Sequence, residues 1–227
     1  MNADDPPQSV PVVWRRSVRA RRASLRIDAR AGAVVLTLPT RASKAAGMVL
    51  LSDHAGWIAD RLAALPAPVS FVDGAALPIA GAPHRIRHVP LRRGGAWLEG
   101  GELLVSGGAE FLARRVATFL RTEARRRFGV MALDTGRPAG LRPRRVVVKD
   151  TRTRWGSCAA DGTVMLSWRL LMAPLAVQHY VVAHEIAHLR HMNHGLRFWV
   201  LVRELTPHRP VAEAWLRTHG AGLQRMG

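Results

Sequence analysis

The chain has 227 residues, with 34 Lys+Arg against 16 Asp+Glu, a formal charge of +18 and 48% hydrophobic residues. That is enough apolar material for a core in one large domain or two small ones packed together, and it excludes a tail or a linker. The best apolar runs, residues 33–38 and 181–183, fall far short of the eighteen or so residues that a membrane helix needs, so no membrane partner is expected.

Met1-Asn2-Ala3-Asp4-Asp5-Pro6-Pro7 begins with acid and proline instead of a basic patch and an apolar stretch, so no secretory leader is expected and the chain is placed in the cytoplasm. The single cysteine, Cys158, excludes an intramolecular disulfide, which agrees with a reducing compartment. All the cations but Lys44 and Lys149 are arginines, gathered in residues 15–30, 121–127 and 142–154. Such clusters can meet the phosphates of a nucleic acid, or they can be solvated surface charge on folded elements.

Residues 17–38 alternate as two strands (Leu25 and Ile27, then Val34, Leu36 and Leu38) about the turn-forming Ala29-Arg30-Ala31-Gly32, which predicts a hairpin. Residues 43–65 place Met48, Leu51, Ile58, Leu62 and Leu65 on one helix face, ended by Pro66 and Pro68. From 71 to 105, apolar pieces alternate with glycines, as in short antiparallel strands, and Gly107-Gly108 then marks a boundary. The second half opens with a long helix pattern (Leu112, Val116, Phe119, Leu120, Ala124, Phe128). Strands are expected at 146–149, 152–155 and 163–168, then a helix from Pro174 through His191, and two more at 195–205 and 210–219. The expected fold class is α+β: a strand-rich N-terminal region with one helix over 1–107, of unassigned role, and a catalytic domain over 108–227.

The informative stretch is His184-Glu185-Ile186-Ala187-His188. Residues four apart on a helix share a face, about 6 Å apart along the axis, so both imidazoles can aim at one ion with Glu185 beside it. Two histidines on zinc, with a carboxylate taking a proton from the attacking water, are the chemistry of a zinc hydrolase. The surrounding helix is apolar (Leu175, Val177, Val181, Val182, Ile186), where two histidines and a glutamate are costly to bury without partners. A catalytic zinc keeps three protein ligands, and His194 follows six residues later.

The linked motif His184-Glu185-x-x-His188-Leu189-x-x-x-Asn193-His194-Gly195-x-x-Phe198-Trp199, preceded by Arg154-Trp155-Gly156-Ser157-Cys158 and Leu166-Ser167-Trp168-Arg169-Leu170, resembles the YgjP-like metallopeptidases, relatives of the SprT-type proteases. The likeness runs over nearly the whole chain, including Arg16-Ser17-x-Arg19-Ala20-Arg21 and Trp57-Ile58. It implies Zn2+ held by His184, His188 and His194, with Glu185 as general base, in a zincin-like domain whose site helix lies under a small antiparallel sheet. Unlike SprT-type relatives that act on DNA–protein crosslinks, this chain cannot form a cysteine-rich zinc ribbon. The His188-to-His194 spacing equals that of the metzincins, but His191 replaces their turn glycine and no methionine turn is recognisable.

Of the other candidates for the third ligand, His191 stands about 10.5 Å further along a continuous helix than His184, and Glu204 lies well down the next helix. His194 can reach the ion if the helix ends near Met192-Asn193, with Asn193 taking a left-handed turn and Phe198 and Trp199 packing to hold it. Arg154, Trp155 and Ser157 are read as substrate-binding residues at the cleft, where strand backbone pairs with an extended peptide and Arg154 meets an oxyanion or carboxylate. The alternative is that Trp155 packs the core, Gly156 makes a bulge and Cys158 is a small buried hydrophobe. The expected function is zinc-dependent cleavage of peptide bonds in peptide or protein substrates. Two others fit the same residues: a zinc-dependent nucleotide or phosphoester hydrolase, and a non-enzymatic nucleic-acid-binding protein with structural zinc.

Overall fold

The computed structural model describes residues 10–227, and the acidic, proline-bearing start of the chain lies outside them. The chain is α+β and divides into two units, Met1–Pro68 and Val69–Gly227. In the first, β1 (Val12–Ser17) and β2 (Ser24–Asp28) flank β3 (Ala33–Pro39), with β2–β3 the expected hairpin and β1 parallel to β3. The single helix expected over 43–65 is two: α1 (Lys44–Asp53), capped when Ser43 accepts from the Ala46 N–H, and α2 (Ala55–Ala63). The break falls at His54, whose Nδ1–H donates to the Leu50 carbonyl at 3.0 Å and so satisfies an acceptor freed where α1 ends. Gly47 lets α1 approach the sheet, since a Cβ there would stand 2.6 Å from the Trp14 ring.

The second unit starts with β4 (Ala76–Ile79), β5 (Ala82–His88), β6 (Ala96–Glu99) and β7 (Glu102–Val105), in the order β4-β5-β7-β6. These strands are not all antiparallel as expected: β5 and β7 run parallel, because β6 is inserted as the partner of β7 on its far side. Helix α3 (Leu112–Gly136) follows, with Leu112, Val116, Leu120, Ala124, Phe128, Ala132 and Gly136 buried at four-residue steps along one stripe. That stripe shares a core with Leu77, Ile86 and Leu103 of the preceding strands, so the expected boundary at Gly107-Gly108 falls inside this unit.

Strand β8 (Arg145–Lys149) leads to β9 (Gly156–Cys158) and β10 (Thr163–Ser167), with β10 in the centre. The expected antiparallel sheet is mixed: β8 and β10 are parallel, β9 and β10 antiparallel, because residues 150–155 carry the chain across to the far side of β10. The strand expected at 152–155 is displaced to β9, since the Thr151 hydroxyl donates to the Arg154 carbonyl at 2.7 Å and closes a local turn. Helices α4 (Leu175–Ala187), α5 (Leu196–Leu205) and α6 (Arg209–Gln224) complete the unit. No helix among the described residues is long and apolar enough to cross a membrane.

Part of the arginine excess is internal wiring. Arg126 and Arg127 both donate to Glu123, Arg144 pairs with Asp161 at 3.4 Å, and Arg121 lies 4.0 Å from Asp150. Arg169 is the extreme case, with its side chain fully buried, its Nε 3.3 Å from Asp150 and its Nη1 donating to the carbonyls of Leu223 and Met226. It ties the turn before α4 to the end of α6. Arg169→Met is expected to lower unfolding stability by about 3–5 kcal/mol, because it removes the buried cation that Asp150 and the carbonyls of Leu223 and Met226 share. Urea denaturation followed by circular dichroism checks this, and a loss under about 1 kcal/mol would contradict it.

Candidate metal centre

Helix α4 starts after Pro174, whose missing N–H costs nothing there, and buries Val177, Val181, Val182 and Ile186. His184 lies in its last turn and His188 is its C-cap residue, still in a helical conformation, so the two stand one turn apart with ring centroids 5.0 Å apart. The helix does not reach His191. It stops at Ala187, and the Leu189 and Arg190 amides donate back three residues to Ile186 and Ala187, tightening the last turn.

That early stop brings His194 back over the helix end. One nitrogen each from His184, His188 and His194 falls in a group spanning at most 4.8 Å. The turn needs no left-handed residue: among the described residues the only non-glycine with such a φ is Ala80, so Asn193 does not play the part expected of it. Aromatic packing holds the turn instead. Phe198 is fully buried, with its ring centroid 4.7 Å from His194 and 4.5 Å from His188, while Trp199 lies 5.6 Å from His194.

The donor set fits a divalent ion. His184 Nε2 and His194 Nε2 are 3.1 Å apart, and two nitrogens bound tetrahedrally at about 2.0–2.1 Å stand about 3.3 Å from one another. His188 Nδ1 lies 3.0 Å from the His191 carbonyl, which only accepts, so Nδ1 carries the proton and Nε2 keeps its lone pair for an ion. His191 thus contributes its backbone and not its ring, a role no side-chain motif reveals. Glu204 is outside the cluster. Burial, followed by repulsion from His188 and His194, pulls His184 down to about 4 and favours the neutral, ligating ring.

Glu185 is buried beside these rings against β9. Gly156 makes that possible, for a Cβ there would lie 2.5 Å from Oε1 of Glu185. Gly156 pairs in register with Leu166 and forms no bulge. Burial pushes Glu185 up to about 7, opposed by the positive charge of Arg154. A carboxyl titrating near neutrality is suited to taking and returning a proton.

The remaining candidates separate. Arg154 is exposed but close enough for its charge to act on Glu185. Trp155 packs against the core and approaches Gly220 of α6. Ser157, between Gly156 and Cys158, faces away from Glu185 by strand alternation, while β9 itself is an edge of its sheet. Burial, then Glu185 and Asp161, push the Cys158 thiol up to about 11, which keeps it neutral and a poor nucleophile.

The raised Glu185 has a consequence for the metal-free protein. The folded chain holds this proton up to pH about 7, whereas an unfolded glutamate releases it near 4.5, so stability falls as pH rises through that window. Glu185→Gln is therefore expected to raise the melting temperature of chelator-treated protein more at pH 8 than at pH 5. Equal shifts at the two pH values in thermal denaturation would contradict a buried, destabilised carboxylate.

The family model described as YgjP-like, metallopeptidase domain matches residues 21–219. Comparison with curated proteins and with solved structures gave no significant match. The match spans both units and takes in β9, the histidine cluster and Glu185, and the chain belongs to the YgjP-like metallopeptidase family.

Proposed function

We propose that the protein is a zinc peptidase in which His184, His188 and His194 hold the ion and Glu185 is the general base. The observation that carries this is the convergence of three imidazole nitrogens within 4.8 Å next to a buried carboxylate titrating near 7. A bound zinc supplies Lewis acidity, polarising the scissile carbonyl and making water easier to deprotonate.

The chain's own residues do the rest. Glu185 accepts a proton from the attacking water at a carboxylate oxygen and returns it to the amine as the peptide bond breaks. Its desolvated position keeps it basic enough for the first transfer and acidic enough for the second. The edge of β9 offers backbone N–H and C=O groups to an extended peptide, so the substrate is held by main-chain pairing next to Glu185. Arg154 lies where its cation can attract a substrate carboxylate or a developing oxyanion.

Three histidines converge here, whereas a structural zinc takes four protein ligands, which favours the catalytic reading over a purely structural one. Glu185→Gln is expected to keep zinc at wild-type stoichiometry and lose about 10²–10⁴-fold in peptide turnover. His194→Ala is expected to lose most of the metal, and His191→Ala and Glu204→Ala to retain it. Metal analysis by mass spectrometry and a peptide-library assay read these outcomes, with nucleoside triphosphates tested alongside. Wild-type turnover by Glu185→Gln, or hydrolysis of triphosphates alone, would overturn the peptidase reading.

A further inference from the structure

The ligating histidines are not equally supported. His188 has its Nδ1–H bonded to the His191 carbonyl, but Nδ1 of His184 is buried without a hydrogen-bond partner. Nε2 of His184 faces His194, so the proton of the neutral ring belongs on Nδ1, on the side away from the cluster. A buried N–H with no acceptor costs about 1–3 kcal/mol, and a ligand imidazole normally donates that N–H in a hydrogen bond to a carboxylate or a carbonyl.

Helix α6 brings a carboxylate near enough for its charge to be felt at His184. Tyr180 lies one turn before His184 on the same face of α4, with ring centroids 6.0 Å apart, and its hydroxyl donates to Oε1 of Glu213 at 2.6 Å. Arg209 Nε donates to the same oxygen at 3.0 Å, so both bonds converge on Oε1 and neither engages Oε2. The Arg209 guanidinium also lies 3.5 Å from the centroid of Trp199, whose ring is 5.8 Å from His184 and 5.6 Å from His194. Of the neighbouring charges felt at His184, those of His188, His194 and Arg209 disfavour positive charge on the ring, and Glu213 favours it.

We propose that Glu213 is the positioning residue for His184, accepting its Nδ1–H when Nε2 takes the metal, with Tyr180 and Arg209 holding the carboxylate in place. The inference rests on His184 being a metal ligand. It makes α6, which provides no ligand, a determinant of metal affinity. A carboxylate on Nδ1–H fixes the ring's tautomer and orientation and raises the donor strength of Nε2, and loss of such a partner typically weakens metal binding by about 10–100-fold. The Glu213 side chain is 42% exposed, so its replacement by the isosteric amide removes the charge without opening a cavity.

The test is zinc affinity of the full chain, measured by competition with a chromogenic chelator, for wild type, Glu213→Gln, Glu213→Asp and Tyr180→Phe. Glu213→Gln is expected to weaken zinc binding by about 10–100-fold, with the melting temperature of the metal-free protein unchanged. Glu213→Asp is expected to recover part of the loss, and Tyr180→Phe to weaken binding by a smaller factor. Zinc affinity of Glu213→Gln within twofold of wild type would overturn the proposal, as would a loss matched by a fall in metal-free stability. A wild-type protein that binds no zinc would fail at an earlier point, the metal-site reading itself.

Discussion

Everything at the centre of this molecule follows from placing a buried glutamate and two half-buried histidines at the end of an apolar helix. A carboxylate and imidazoles in such surroundings are destabilising unless something compensates, and the chain supplies the compensation around them. Gly156 clears space for Glu185, the chain stops the helix at Ala187 so that a third imidazole can fold back, and Phe198 pins the turn from beneath. The cost is visible in the titration of the site, with His184 pulled down to about 4 and Glu185 pushed up to about 7. A metal ion at the three rings would resolve the conflict at the histidines, because it takes neutral imidazoles, and under the proposed function the raised carboxyl is suited to moving protons.

The rest of the second unit serves as a frame for that arrangement. Helix α3 lays its four-residue stripe under α4 and the strands, and buried Arg169 ties the start of the site helix to the far end of α6. The strand β9 stays at a sheet edge, with Gly156 against Glu185 on one face and, among the described residues, no strand paired along its outer edge. That combination suits the proposed function, with a rigid floor for the reacting groups and a backbone edge for an extended chain. The arginine excess, by contrast, is partly absorbed in ion pairs within the fold, as at Glu123 and Asp161.

The parts of the fold that rest on local pattern were legible in the sequence. The i, i+4 spacing placed His184 and His188 on one helix face, and the β2–β3 hairpin and the long α3 stripe followed from periodicity. What stayed hidden depends on contacts between distant segments. Strand β1 pairs parallel to β3 without a turn to announce it, and β9 is set by a Thr151 hydroxyl bond and by its register on β10. The helix end at Ala187 was expected four residues later, because neither glycine nor proline marks it. Glu213 carries no motif at all: only the packing of α6 on α4 brings it to Tyr180.

The most direct measurement of the central claim is X-ray absorption at the zinc edge of the metal-reconstituted protein. Three imidazole nitrogens with one further light atom, all at about 2.0–2.1 Å, are expected, with the multiple-scattering signature of three histidine rings. A sulfur scatterer at about 2.3 Å, which only Cys158 or a methionine can supply, or a site with fewer than three imidazoles, would contradict the account.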